Sequence, residues 1–224
     1  MGRWGHRLFE GDRDIDIAGE LGDTIKGKPL ELSMMIHQTD MLAPQEARLF
    51  YQTDEYKVIL EKHIAEVRSQ LDSGLGNCFF EKVRAQAKKP NTSDGQYRII
   101  IAGALMMRAG ANIKPCYIQY LRGLVPKINC NHGFALPIMD QGFREPGRVQ
   151  FLNALNNYVA GTPRDFQAPS CFRCGKSEVD LGFAPKKCSR CHGAWYCSQK
   201  CQKKQWANHK PACIPPEKKF SLNV

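Results

Sequence analysis

The stretch "CFRCGKSEVDLGFAPKKCSRCHGAWYCSQKCQKKQWANHKPAC" occupies residues 171–213 and holds seven of the chain's ten cysteines. With one histidine, these fall into four pairs: Cys171/Cys174, Cys188/Cys191, Cys197/Cys201 and His209/Cys213. Two closed tetrahedral zinc sites need eight protein ligands, which is the number these pairs offer. A lone CxxC is equally a redox motif. Two CxxC pairs followed by CxxxC and HxxxC are hard to explain without metal. With every ligand drawn from protein, no coordination position stays open for water, so both zincs are expected to be structural. Their binding energy would be folding energy for a segment too short to bury much core.

The helix pattern limits how the pairs share metal. Ser198 is a good N-cap, and nothing breaks a helix between there and Pro211, so residues 199–209 are expected to form one helix. Cys201 and His209 then lie roughly 12 Å apart along its axis, too far for one zinc with ligand bonds of about 2.0–2.3 Å. The third and fourth pairs therefore belong to different metals. Spacing leaves two arrangements open: first with third and second with fourth, or first with fourth and second with third.

The elements "AWYC", "CQKKQW" and the terminal "HKPAC" resemble a MYND-type zinc finger over residues 171–213. The resemblance implies a cross-braced finger. One zinc would sit on Cys171, Cys174, Cys197 and Cys201, the other on Cys188, Cys191, His209 and Cys213. His192 is then surplus and expected at the surface. MYND fingers are mainly protein-binding modules, several of which take short Pro-x-Leu-x-Pro-like peptides. The positions that line the peptide groove in such members correspond here to Ser189, Gln202 and Trp206. Gln202 and Trp206 stand four apart on one helix face, offering an amide to a peptide backbone beside an indole for proline or apolar side chains. The alternative is that Trp206 packs the finger's own core.

Composition supports this reading. At 42% hydrophobic and 24% charged, the chain is near globular averages. Its longest apolar run, "IIIAGALMM" (99–107), is too short to span a membrane. "MGRWGHRLFEGD" lacks a secretory signal pattern and fails the myristoylation pattern at His6. Clustered cysteines without such a signal indicate a reducing, cytoplasmic or nuclear compartment. The basic balance is local: residues 171–220 carry 11 Lys and Arg against three acids, +8 of the formal +10. Seven zinc-bound thiolates against two dications would lower that excess by three charges.

The rest of the chain reads as mainly helical. Helices are expected over 12–21, 43–51 (with Pro44 in the first turn), 54–71, 97–112, 113–125 and 146–161. Residues 22–33 and 88–95 read as loop or linker. In the clearest of the helices, Tyr56, Leu60, Ile64, Val67 and Leu71 form one stripe, with Asp54 as the cap and "DSGLG" as the stop. The expected organisation is a helical domain over 1–160, a linker over 161–170, the finger over 171–213 and a tail over 214–224. The opening "MGRWGHRLFEGDRDIDIAGEL" also resembles the start of a bacterial domain family of unknown function, and with the finger the chain resembles MYND-finger proteins of filamentous fungi. Trp4 and Phe9 are expected as core anchors between glycine turns.

Function is thus expected to be non-catalytic. The chain would be a zinc-binding adaptor, with no membrane, whose finger takes proline-containing segments of partner proteins, possible roles including transcriptional regulation. The first alternative is a nucleic-acid-associated regulator using Lys200, Lys203 and Lys204, although the finger departs from the Cys2His2 pattern that reads DNA grooves. The remote alternative is a lysine methyltransferase-like enzyme, because "NCNHGFALP" (129–137) faintly echoes a SET-domain motif. In those enzymes, however, the motif follows the finger. Cys130 and His132 would need a third, orienting group to act as nucleophile and base, and the sequence identifies none. Cys78 and Cys116 are expected as small core residues.

Overall fold

The computed structural model describes residues 2–23, 25, 30–36, 45–88, 94–132 and 142–218. Its helical part contains α1 (Asp12–Gly22), a 3-10 turn (Leu32–Met35), α2 (Gln45–Phe50), α3 (Asp54–Gln70), α4 (Gly76–Gln86), α5 (Tyr97–Ala109), α6 (Pro115–Leu124) and α7 (Glu145–Asn156). A two-residue parallel pair, β1 (Cys130–Asn131) and β2 (Phe143–Arg144), precedes α7, with Cys130 opposite Phe143. The C-terminal module adds α8 (Glu178–Leu181), the antiparallel hairpin β3 (Lys186–Lys187) and β4 (Trp195–Tyr196), and α9 (Gln199–His209). The architecture is mainly α, as expected.

The helical part is built around α5. Its sequence, YRIIIAGALMMRA, is apolar on nearly every side, and every one of its residues is buried. Helices α1, α3, α4 and α6 pack around it. Two arginines inside this shell are paired rather than stranded: Arg98 with Glu20, and Arg108 through Nε to the Met35 carbonyl at 3.0 Å. Gly110 ends the helix at φ +74, a left-handed C-cap that favours glycine.

The N-terminal turn is held by a buried carboxylate. Asp14 in α1 accepts hydrogen bonds from Arg3 at 3.2 Å, from the Tyr97 hydroxyl at 2.8 Å and from the Phe9 backbone N–H at 2.9 Å. Phe9 is fully buried at φ +63, and Trp4 is half-buried.

Several local expectations need correction. The N-cap of α3 is Thr53, whose hydroxyl accepts the Tyr56 N–H at 3.2 Å; Asp54 lies within the first turn and pairs with Lys57. "DSGLG" does not end the helical run. It forms a π-turn (Leu71–Leu75) kinked at Gly74, φ +105, and passes directly into α4, which the sequence reading did not anticipate. Phe79, Phe80 and Val83 form the buried stripe of α4, so Cys78 falls off that stripe and is exposed. Cys116 is exposed for the same reason, because Tyr117, Leu121 and Leu124 take the inner face of α6. Neither cysteine is a core residue. Helix α7 stops at Asn156, and α5 at Ala109. Pro44, most of the 88–95 loop, much of 22–33, residues 133–137 of "NCNHGFALP" and residues 219–224 of the tail lie outside the described residues.

Residues 161–170 are packed rather than extended in solvent. Phe166 is 1% exposed and joins the main core, with Phe9 edge-on to its ring and Phe151 tilted against it. A second, smaller core gathers Cys171, Phe172, Cys188, Cys191, Ala194, Tyr196 and Cys213.

Candidate metal centre

The module's cysteines are placed by short, well-capped elements. After Cys171, the N–H of Gly175 returns to the Cys171 carbonyl at 2.8 Å, closing a tight knuckle around the first CxxC. The second CxxC closes the same way, the His192 N–H reaching the Cys188 carbonyl at 3.0 Å. Ser198 caps α9, its hydroxyl accepting the Cys201 N–H at 3.2 Å, so Cys197 and Cys201 straddle the helix start. His209 is the last residue of α9, and a 3-10 turn (Lys210–Ala212) brings Cys213 back beside it.

This folding gathers two clusters: Cys171, Cys174, Cys197 and Cys201, and Cys188, Cys191, His209 and Cys213. In each, the four ligand atoms lie within 4.8 Å of one another. Sulfur separations are 3.7 Å for Cys174–Cys197, 3.5 Å for Cys197–Cys201 and 3.7 Å for Cys188–Cys213. A zinc tetrahedron with bonds of about 2.3 Å places its sulfurs about 3.8 Å apart, whereas a disulfide needs about 2.05 Å. The donor set and its spacing therefore fit two zinc ions. Of the two arrangements spacing had left open, the fold contains the one pairing first with third and second with fourth. His192 is exposed, at φ +53, and stands outside both clusters.

The surroundings prepare these ligands. Burial works against a thiolate at Cys171, yet backbone N–H groups of Cys197, Cys174 and Arg173 outweigh it and hold that thiol below its ordinary range. At Cys188 burial is likewise outweighed by the Cys191 and Arg190 N–H groups. At Cys174, Cys197 and Cys213, by contrast, burial pushes the thiols up, so within each cluster the first cysteine of the CxxC holds a thiolate more readily than these partners. His209 points Nε2 at the second cluster, 3.2 Å from Cys191 Sγ. Its Nδ1 lies 2.9 Å from the Tyr196 hydroxyl, which selects the tautomer with Nδ1–H donating outward and the Nε2 lone pair facing the metal. Burial, followed by the nearby cysteines, raises the Tyr196 pKa, so the hydroxyl stays a neutral partner. Tyr196 was not singled out from sequence; its position just before Cys197 in "AWYC" was the available signal.

The clusters differ in access. All four residues of the second are buried, whereas in the first only Cys171 is buried. Trp206 lies on α9 between them, 37% exposed, its ring edge against His209 at 5.7 Å between centroids. Gln202 is half-buried and Ser189 exposed. Ser189 follows a ligand of the second cluster and Gln202 a ligand of the first, so cross-bracing holds both relative to Trp206.

The module also docks on the helical part. Asp180 accepts hydrogen bonds from Arg164 at 2.6 Å, Asn153 of α7 at 2.7 Å and the Ser177 N–H at 3.0 Å. The His6 ring meets Phe172 edge-on at 5.6 Å. Gly175, at φ +74, lies so close to α7 that a Cβ there would run into the Val149 carbonyl oxygen.

Elsewhere, the third group that a Cys130/His132 pair would need is present in part: Glu145 Oε2 lies 3.3 Å from His132 Nδ1. But Cys130 packs against the main core while the His132 side chain is 62% exposed, so the two face different surroundings.

Comparison with known proteins agrees with the module's geometry. The MYND finger family model matches residues 171–213, and this module is a MYND finger, a zinc-binding protein-interaction domain rather than an enzyme. Over 57 residues the chain is 35% identical to Tudor domain-containing protein 1 of Mus musculus, a match spanning 25% of this chain and 4% of that protein. No solved structure matches the chain.

Proposed function

We propose that the protein is a non-catalytic adaptor whose MYND finger binds a short proline-containing segment of a partner protein through Ser189, Gln202 and Trp206. In this reading residues 1–160 form the helical body, 161–170 strap the finger to it, and 214–224 are a tail. The observation that carries it is Trp206: a large aromatic side chain left 37% exposed on a helix anchored by metal ligands at both ends. Holding an indole and an amide at fixed spacing lowers the ordering cost of binding, and exposed aromatics of this kind are common binding anchors. A role in transcriptional regulation, in a reducing cytoplasmic or nuclear compartment, is consistent with an adaptor that depends on reduced, zinc-bound cysteines.

The experiment is affinity purification of partners on the zinc-loaded chain and on Trp206→Ala. Partner recovery should fall while two zincs per chain are retained. Unchanged recovery with zinc retained would place the tryptophan in the finger's core instead.

A further inference from the structure

The two parts of the molecule handle charge differently. In the helical part, several arginines are matched in place, Arg3 with Asp14, Arg7 with Glu10, Arg13 with Glu20 and Arg84 with Glu81, while lysines such as Lys62 and Lys82 form no ion pair among the described residues. In the finger, the nine lysines and arginines from Arg173 to Lys210 are all exposed, and none forms an ion pair among the described residues. Of the three acids nearby, Asp180 is 7% exposed and taken by Arg164, which lies outside the finger. The finger's positive charge is thus unanswered within the described residues.

Its placement is not uniform. Lys203 stands three residues before Trp206 in α9, and Lys210 stands four residues after it, opening the 3-10 turn that follows, with its N–H still bonded to the Trp206 carbonyl. Lys187 and Arg190 flank Ser189 along the chain, with the Lys187 ammonium 4.9 Å over the Trp195 ring. Cations therefore stand beside Ser189 in the chain and about one helical turn from Trp206, on two separate elements, with Lys200 and Lys204 also exposed on α9. A nucleic-acid backbone calls for a track along its phosphates. A short apolar segment with charged ends calls for cations around an aromatic centre.

We infer that the partner segment is acidic: a proline-containing core with aspartate or glutamate on both sides, the core on Trp206 and the carboxylates against Lys203, Lys210 and the Lys187/Arg190 pair. This rests on the peptide-binding reading above. Exposed ion pairs contribute little individually, but several converging on one segment raise the association rate and select partners by charge.

The test is fluorescence polarisation on the zinc-loaded full chain with three labelled peptides sharing one Pro-x-Leu-x-Pro core and carrying acidic, neutral or lysine flanks. A random DNA duplex and a single-stranded RNA serve as competitors. The acidic peptide should bind about tenfold more tightly than the neutral one at low salt, with the gap narrowing as salt screens the charges. Lys203→Glu with Lys210→Glu should move the preference to the lysine-flanked peptide. Equal affinity for all three peptides would overturn the acidic preference and leave the proline reading standing. No binding by any peptide would overturn both. Tighter binding of the nucleic acids than of the acidic peptide would assign the cations to a nucleic-acid partner.

Discussion

The Nδ1 atom of His209 lies 2.9 Å from the hydroxyl of Tyr196, and this contact sets which nitrogen of the imidazole faces the second cluster. Both residues are buried, so the orientation is fixed by packing as well as by the hydrogen bond. Tyr196→Phe removes the acceptor and keeps the ring. We expect two zincs per chain at neutral pH, with affinity at the second site lowered about 10–100-fold, the usual cost of losing a partner behind a metal ligand. Competition with a chromophoric chelator measures this. An unchanged second-site affinity would show that packing alone orients His209.

Zinc content distinguishes ligand cysteines from the others. Cys201→Ser should leave the first site one ligand short, bring the zinc count below two and unfold the α9 start, because metal binding and folding are coupled here. Cys116→Ser, at an exposed position on α6, should leave two zincs. Native mass spectrometry reads both. The first site, with three partly exposed cysteines, should also lose metal to a chelator sooner than the fully buried second site.

The Asp180 cluster predicts that the finger is stabilised by its body. Asp180→Ala removes the carboxylate from the Arg164 guanidinium, 8% exposed, leaving Nη2 on the Asn157 carbonyl at 2.7 Å, and leaves the Asn153 amide without that acceptor. Removing one partner of such a pair costs about 3–5 kcal/mol when fully buried, and about 2–3 kcal/mol is expected at this partly wetted junction. Chemical denaturation should show the loss with zinc content unchanged. Arg164→Met with Asp180→Leu should recover part of it by replacing the charges with apolar contacts.

Acid should weaken the same junction through His6. Burial, the largest influence, lowers the His6 pKa from 6.5 to about 4. Between those values the unfolded chain binds a proton that the folded chain refuses, so stability falls as the pH drops through this window. The contribution is about 2 kcal/mol at pH 5 relative to neutrality. Because acid also protonates zinc ligands, the measurement is the difference in pH slope between wild type and His6→Gln, both in excess zinc. Parallel slopes would show that His6 is protonated without cost in the folded state.

Much of the finger is legible without coordinates, because metal ligation makes severe demands on residue type and number. Seven cysteines and a histidine in four pairs specify two tetrahedra, and the rise of an α-helix alone keeps Cys201 and His209 on different metals. The apolar circumference of 97–109 likewise marks a helix that has to be central. Other features depend on encounters between distant segments, which no local pattern encodes. Whether Gly74 stops a helix or kinks it into the next was decided by the burial of Phe79, Phe80 and Val83 against the core. Whether residues 161–170 would hang free or lie packed was decided by a pocket for Phe166 and by a carboxylate, Asp180, meeting Arg164. The sequence by itself thus determined which residues have to meet metal, because coordination chemistry is short-ranged and stoichiometric. Only the tertiary structure decided how the finger sits on its body and leaves Trp206 exposed, because packing and charge burial depend on surfaces far apart in the chain.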